Sequence, residues 1–187
     1  GVSAGLLTAL IHGAMSGPPW GVSNDESERA EALNHLLVTK SSEERFASLF
    51  WFRFDPASAT LRYINAGHPP PFWLRNLAGG ATTMSRLTEG GPVLGLLPSA
   101  SYRVESIQAH AGDLLVLFSD GLTDLANHAG EFFGEDRLVL AIREGAHQPA
   151  RLIVDAILSA ARAFAGDRPN DDDETLLVVR LPAGSPQ

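Results

Sequence analysis

The stretch from Asp113 to Phe118 contains Leu114-Leu115-Val116-Leu117-Phe118, a run that is apolar at every position. Such a run needs apolar neighbours on both faces and belongs in the interior of a sheet. It stops abruptly in Ser119-Asp120-Gly121-Leu122-Thr123-Asp124. About fifty residues later the order is reversed, with Asn170-Asp171-Asp172-Asp173-Glu174-Thr175 leading straight into Leu176-Leu177-Val178-Val179. If the two apolar strands are neighbours in one sheet, carboxylates from both acidic segments meet at its rim. Carboxylates in that position repel one another unless a cation lies between them, so the pattern predicts a site for a hard divalent metal.

The rest of the chain supplies two layers to hold that rim. Leu6, Leu7, Leu10, Ile11 and Ala14 recur at three- and four-residue spacing and predict a helix from Val2 to Ser16, stopped by Gly17-Pro18-Pro19. A second helix is expected from Ser27 to Lys40, with Ala30, Leu33, Leu36 and Leu37 on one face. Strands are expected at Phe46 to Asp55 and Leu61 to Ala66, joined as a hairpin, then at Phe72 to Leu74, Met84 to Leu87, Ser101 to Gln108, Asp113 to Phe118 and Leu176 to Leu181. Two more helical patterns cover Glu135 to Glu144 and Pro149 to Ala165. Strand runs punctuated by pairs of helices predict an α+β fold of sheets between helical layers.

Composition narrows the function. A chain of 187 residues with 44% hydrophobic content can bury one real core, so a single domain is expected over residues 1–181, with 182–187 as a frayed tail. The formal net charge of −8, with no basic cluster, argues against nucleic acid as a partner. There is no cysteine, which removes disulfides, thiolate zinc sites and a cysteine nucleophile and is compatible with the cytoplasm. The apolar segment from Gly5 to Met15 is too short to span a bilayer, and it lacks the basic flank of a signal peptide.

Four segments, in order and spacing, resemble one family: Tyr63-Ile64-Asn65-Ala66-Gly67-His68-Pro69-Pro70-Pro71, Gly91-Pro92-Val93-Leu94-Gly95-Leu96, Asp120-Gly121 and Asp172-Asp173-Glu174-Thr175. Together they look like the bacterial metal-dependent serine/threonine phosphatases of the PPM or protein phosphatase 2C-like class, of the stage II sporulation E and anti-sigma regulatory type. The resemblance runs from about Gly1 to about Leu181. It implies a four-layer α-β-β-α sandwich of mainly antiparallel sheets flanked by helix pairs. It also marks a departure, because family members carry an earlier strand pair with an Asp-x-x-Gly-x-Gly type element bridging two metals. The opening Gly1-Val2-Ser3-Ala4-Gly5-Leu6-Leu7 resembles the segment just after that element. On this reading the chain is an N-terminally truncated phosphatase domain, expected to have little activity by itself, and the sheet edges and apolar surface so opened favour self-association, a homodimer being one form it could take.

By the resemblance, Asp120 and Asp172 are metal ligands, and Gly121 offers a carbonyl or permits the turn. Asp124, Asn170 and Asp173 are outer-sphere candidates, although Asp124 reads equally as the N-cap of a short helix. Two ions, manganese or magnesium, would serve the intact domain, since Asp-rich oxygen sites select them over zinc. With a metal-activated water attacking the phosphate, no protein side chain need act as nucleophile, and no residue is assigned to an organic cofactor. Taken alone, Asp120-Gly121 reads as a strand-ending turn and Asp171-Asp172-Asp173 as a solvated acidic loop. His68 reads as part of a rigid turn in a proline-rich segment rather than as a general acid. Gly91, Pro92 and Gly95 either shape a loop near the site or only turn the chain, and Trp20, Trp51 and Trp73 read as packing residues. The implied substrate is a phosphorylated regulatory protein such as an anti-sigma-factor antagonist. The competing class is a catalytically silent interaction module on the same fold.

Overall fold

The structure, a computed structural model, describes residues 2–16, 25–40, 46–76, 82–168 and 172–182. The chain divides into two compact units, Gly1–His68 with Thr88–Gln108, and Pro69–Leu87 with Ala109–Gln187. Each is a sheet with its own helical layer, and the fold class is α+β with mainly antiparallel sheets, as expected.

The first unit begins with helices α1 (Val2–Ser16) and α2 (Glu26–Lys40). Asp25 starts α2: its Oδ1 accepts the Ser27 amide at 2.9 Å, satisfying a donor that the first turn leaves orphaned. The Ser27 hydroxyl, also bonded to Asp25, holds that carboxyl below its ordinary range, with the Ser27 amide as the next cause. Strands β1 (Leu49–Asp55) and β2 (Thr60–Ala66) pair antiparallel in the register Asp55↔Thr60 through Leu49↔Ala66. The hairpin loop is fixed by Asp55, whose carboxylate accepts the Ala57 amide and the Ser58 hydroxyl. The two-residue strand β5 (Gly90–Gly91) runs parallel to β2, and β6 (Glu105–Gln108) pairs with it antiparallel. Ala30, Leu33 and Leu37 of α2 bury against Ile64, Ala66, Leu94 and Tyr102 to form this unit's core.

Two buried polar side chains tie α2 to the rest of its unit. Glu26 is 2% exposed and meets Arg62 at 2.6 Å and Arg53 at 2.8 Å. Asn34 accepts the Gly95 amide at 2.8 Å and donates to the Leu97 carbonyl at 2.9 Å. Two expected strands are shorter than their apolar patterns suggest. Phe46 to Ser48 precedes β1, with Ala47 forming only an isolated bridge to Leu94, and Ser101 to Val104 precedes β6 without ladder pairing.

In the second unit the sheet order is β4 (Thr82–Arg86), β3 (Phe72–Asn76), β7 (Leu114–Phe118), β8 (Leu176–Arg180), all antiparallel. All five residues of β7 are buried, which is what its uniformly apolar sequence requires. The helical layer is α4 (Gly134–Gly145) and α5 (Ala150–Ala165), preceded by the short α3 (Asp120–Thr123). Leu138, Ile142, Ile153 and Ile157 project from the two long helices onto Leu74, Leu114, Val116 and Phe118. At the start of β7, the fully buried Asp113 accepts the His110 amide at 2.9 Å and lies 3.4 Å from Nε of Arg75. Arg180 closes β8 by donating to the carbonyls of Gly112, Ala146 and Gln148. Pro182 is the last described residue, so 183–187 of the expected tail lie outside the described residues. No helix among the described residues is long and apolar enough to cross a membrane.

Candidate functional site

The expected pairing of the two apolar strands is present, and it delivers both acidic segments to one end of the second unit's sheet. The register ends at Phe118↔Leu176, so the next residues outward are Ser119 on one strand and Thr175 on the other. The Ser119 amide donates to the Thr175 carbonyl at 3.0 Å. Its hydroxyl donates to the Asp173 carbonyl at 3.1 Å and accepts the Thr175 amide at 2.9 Å.

Beyond Ser119 the chain turns at once into α3. Its single turn is closed by the Asp124 amide on the Asp120 carbonyl at 2.7 Å and by the Thr123 hydroxyl on the same oxygen at 3.1 Å. Asp124 is therefore the C-cap of this helix, and the N-cap reading is overturned; the N-cap position belongs to Ser119. Ser119 makes no side-chain capping bond, because its hydroxyl is committed to the facing loop.

The two aspartates are anchored alike. Oδ1 of Asp120 accepts the amide of the next residue, Gly121, at 3.0 Å, and Oδ1 of Asp172 accepts the amide of Asp173 at 2.8 Å. Both side chains are exposed, whereas Gly121, Leu122 and Thr123 beneath them are buried. Gly121 brings the loops together. A Cβ at that position would lie 2.4 Å from the Asp173 carbonyl oxygen and 3.5 Å from Cβ of Asp172, so no larger residue fits without moving the backbone.

Further back, the chain entering the acidic loop is tied to the segment leaving α3. Arg168 donates to the Asn127 carbonyl at 2.9 Å, and Asp167 pairs with His128. The structure thus brings Asp120, Gly121, Asp172, Asp173 and Asp124 to one end of one sheet, while Asn170 lies outside the described residues.

The donors suit a hard cation in kind, being carboxylate and backbone oxygens at a solvent-facing rim. They provide part of a ligand set, since no group of three or more His, Cys, Asp or Glu converges among the described residues.

His68, Gly91 and Gly95 lie in the first unit. Asn65 holds the His68 turn by accepting its amide at 2.9 Å and donating to its carbonyl at 3.0 Å, and the imidazole stands 6.2 Å from the Phe50 ring. That is the rigid turn expected of the segment. Gly91 is crowded by the Ser101 carbonyl and the Tyr102 ring, and the Gly95 amide donates to Oδ1 of Asn34, so both have a packing role. Trp73 is buried in β3, Trp51 packs against the first unit's core, and Trp20 lies outside the described residues. Ser119 and Arg168 were not singled out by sequence. For Ser119 a signal existed, a hydroxyl residue set between a strand end and Asp-Gly; for Arg168 there was none.

Comparison with known proteins bears on the family and the fold. The phosphoserine phosphatase RsbU of Bacillus subtilis (strain 168) is 28% identical over 185 residues, covering 96% of this chain and 52% of its own length. Protein IcfG of Synechocystis sp. (strain ATCC 27184 / PCC 6803 / Kazusa) is 38% identical over 107 residues, which is 57% of this chain and 16% of that protein. The chain thus spans about half or less of the length of these curated relatives. Among solved structures, the SiaA-PP2C domain of Pseudomonas aeruginosa superposes with a TM-score of 0.78 at 22% identity, covering 97% of this chain and 71% of that one. At that identity the likeness is one of fold. The family model for stage II sporulation protein E (SpoIIE) matches residues 1–182. The fold and this match over residues 1–182 show that the chain belongs to the SpoIIE family and has the fold of its PP2C-type phosphatase domains.

Proposed function

We propose that this domain hydrolyses phosphoserine or phosphothreonine in a protein, using divalent metal held with the help of Asp120 and Asp172. The observation that carries the reading is the close approach of the Asp120 and Asp172 loops, made possible by Gly121, within a chain matched to the family over residues 1–182. Manganese or magnesium suits these oxygen donors, and two ions would serve the intact domain. Bound there, such ions supply the Lewis acidity that activates a water and neutralises the phosphoryl oxygens. The chain's own part is positional. The Gly121 and Asp173 amides fix one oxygen of each carboxylate, and Gly121 sets how near the loops stand. Asp124 and Asp173 add negative charge at the same rim, which attracts cations and repels a phosphate that arrives without them.

The proposed substrate is a small phosphorylated regulatory protein of the anti-sigma-factor antagonist kind, met in the cytoplasm. Support comes from the family and from RsbU, itself a phosphoserine phosphatase. A second reading, the silent interaction module, is favoured by the partial donor set among the described residues. One experiment, made on the domain extended by the upstream strand pair and Asp-x-x-Gly-x-Gly type element that the family resemblance implies, separates the two. Asp120→Asn and Asp172→Asn, assayed with manganese on a phosphoserine peptide, are each expected to lose at least about a hundredfold in turnover while keeping their circular dichroism and melting temperature. Variants within about threefold of wild type, or a wild type without metal-dependent turnover, would sink the enzyme reading.

A further inference from the structure

The Ser119 hydroxyl hydrogen-bonds across from the Asp120 segment to the residues just after Asp172. It acts in both directions, donating to the Asp173 carbonyl at 3.1 Å and accepting the Thr175 amide at 2.9 Å, while its own amide reaches the Thr175 carbonyl at 3.0 Å. A hydroxyl can donate and accept at once; an aliphatic side chain of the same size can do neither. Asp172 lies between this clasp and the Arg168 bond to Asn127, so its segment is tied on both sides to the segment that carries Asp120.

We propose that Ser119 is a positioning residue that sets the spacing of the Asp120 and Asp172 carboxylates through the Asp173–Thr175 backbone. The proposal rests on the metal-dependent reading above. Ser119 touches neither substrate nor metal in this scheme. It acts on the donors, as the hydrogen-bonding partners of metal ligands do, whose loss typically lowers metal affinity by about 10- to 100-fold.

The substitutions that isolate the hydroxyl are Ser119→Val and Ser119→Thr. Both are β-branched and suit the extended backbone at φ −86°, ψ 160°, but only threonine keeps the bonding group. On the same extended domain, manganese affinity would be measured by calorimetry, turnover on a phosphoserine peptide as a function of manganese, and amide exchange at Asp173 and Thr175 by hydrogen–deuterium exchange. For Ser119→Val the expected result is at least about tenfold weaker manganese binding. The manganese needed for half-maximal turnover should rise in parallel, kcat at saturating manganese should stay near wild type, and exchange at Thr175 should be faster. Ser119→Thr should restore all of these to within about threefold, a range too small for the loss of such a partner. If Ser119→Val exchanges faster at Thr175 yet binds manganese like wild type, the clasp is structural only and the proposal fails while the metal reading stands. If wild type and Asp120→Asn bind manganese equally poorly, the metal reading fails and takes this proposal with it.

Discussion

Gly121 and Asp173 stand so close that a β-carbon on the glycine would sit 2.4 Å from the Asp173 carbonyl oxygen. Backbone meets backbone at this point, so the clash cannot be relieved by a side-chain rotation. Gly121→Ala is therefore expected to push the two loops apart. The cost of such overpacking is about 1–3 kcal/mol, read as a lower melting temperature. Manganese-dependent turnover should fall by more than the stability loss explains. An alanine variant with wild-type melting and turnover would show that the loops can separate freely.

Tyr102 is 5% exposed, and its hydroxyl has no hydrogen-bond partner among the described residues. Burial first, and the charge of Glu31 second, push its phenol from 10.0 up to about 12. An unfolded chain would release this proton near 10 while the folded chain still holds it, so the unfolded state binds fewer protons between about 10 and about 12. The stability contributed by the neutral phenol is complete below pH 10 and is lost as pH rises towards 12. Tyr102→Phe should shrink that alkaline loss, leaving the part due to Tyr63, whose phenol burial also raises. At neutral pH it should be neutral or stabilising by about 1 kcal/mol, because an unsatisfied buried hydroxyl is removed. Urea unfolding at pH 7 and across the alkaline range checks both signs.

Glu26 carries a different liability, a buried carboxylate held by two arginines whose side chains are 57% and 40% exposed. Removing the buried member leaves two solvated cations, whereas removing Arg53 leaves the carboxylate one partner. Glu26→Ala is expected to destabilise by about 2–3 kcal/mol, somewhat below the range for fully buried pairs. Arg53→Ala should cost under about 1 kcal/mol, as an exposed partner does. Chemical denaturation of the two variants and the double variant gives the coupling.

Much of this architecture was legible because side-chain periodicity reports burial. Leu114 to Phe118 had to be an interior strand, and Leu176 onward its partner; the helices from Val2 and near Glu26 followed from three- and four-residue spacing. What escaped was structure made by the backbone alone. Gly90–Gly91 forms a strand with no side chains to pattern, and Asp120–Thr123 forms a helix of one turn, too short for periodicity to show. The sequence pattern extends these strands back to Phe46 and Ser101, whereas ladder pairing starts only at Leu49 and Glu105. The convergence of Asp120 and Asp172 was readable from the two strand ends. Of the Ser119 clasp only the hydroxyl residue between a strand end and Asp-Gly was legible; the backbone groups it bonds belong to a facing loop that its own sequence does not specify.

Among the described residues the strand β8 lies at the edge of its sheet, with ladder bonds to β7 on one side only. Edge strands open at lower free energy than the interior strands they flank, so such openings precede global unfolding. Asp172 depends on the start of β8 for its place, whereas Asp120 depends on the end of the fully buried β7. The two carboxylates therefore have unequal lifetimes: one is as durable as the core, the other only as durable as the margin. In a chain stressed by heat or denaturant, the pair would come apart while most helix and sheet signal remained.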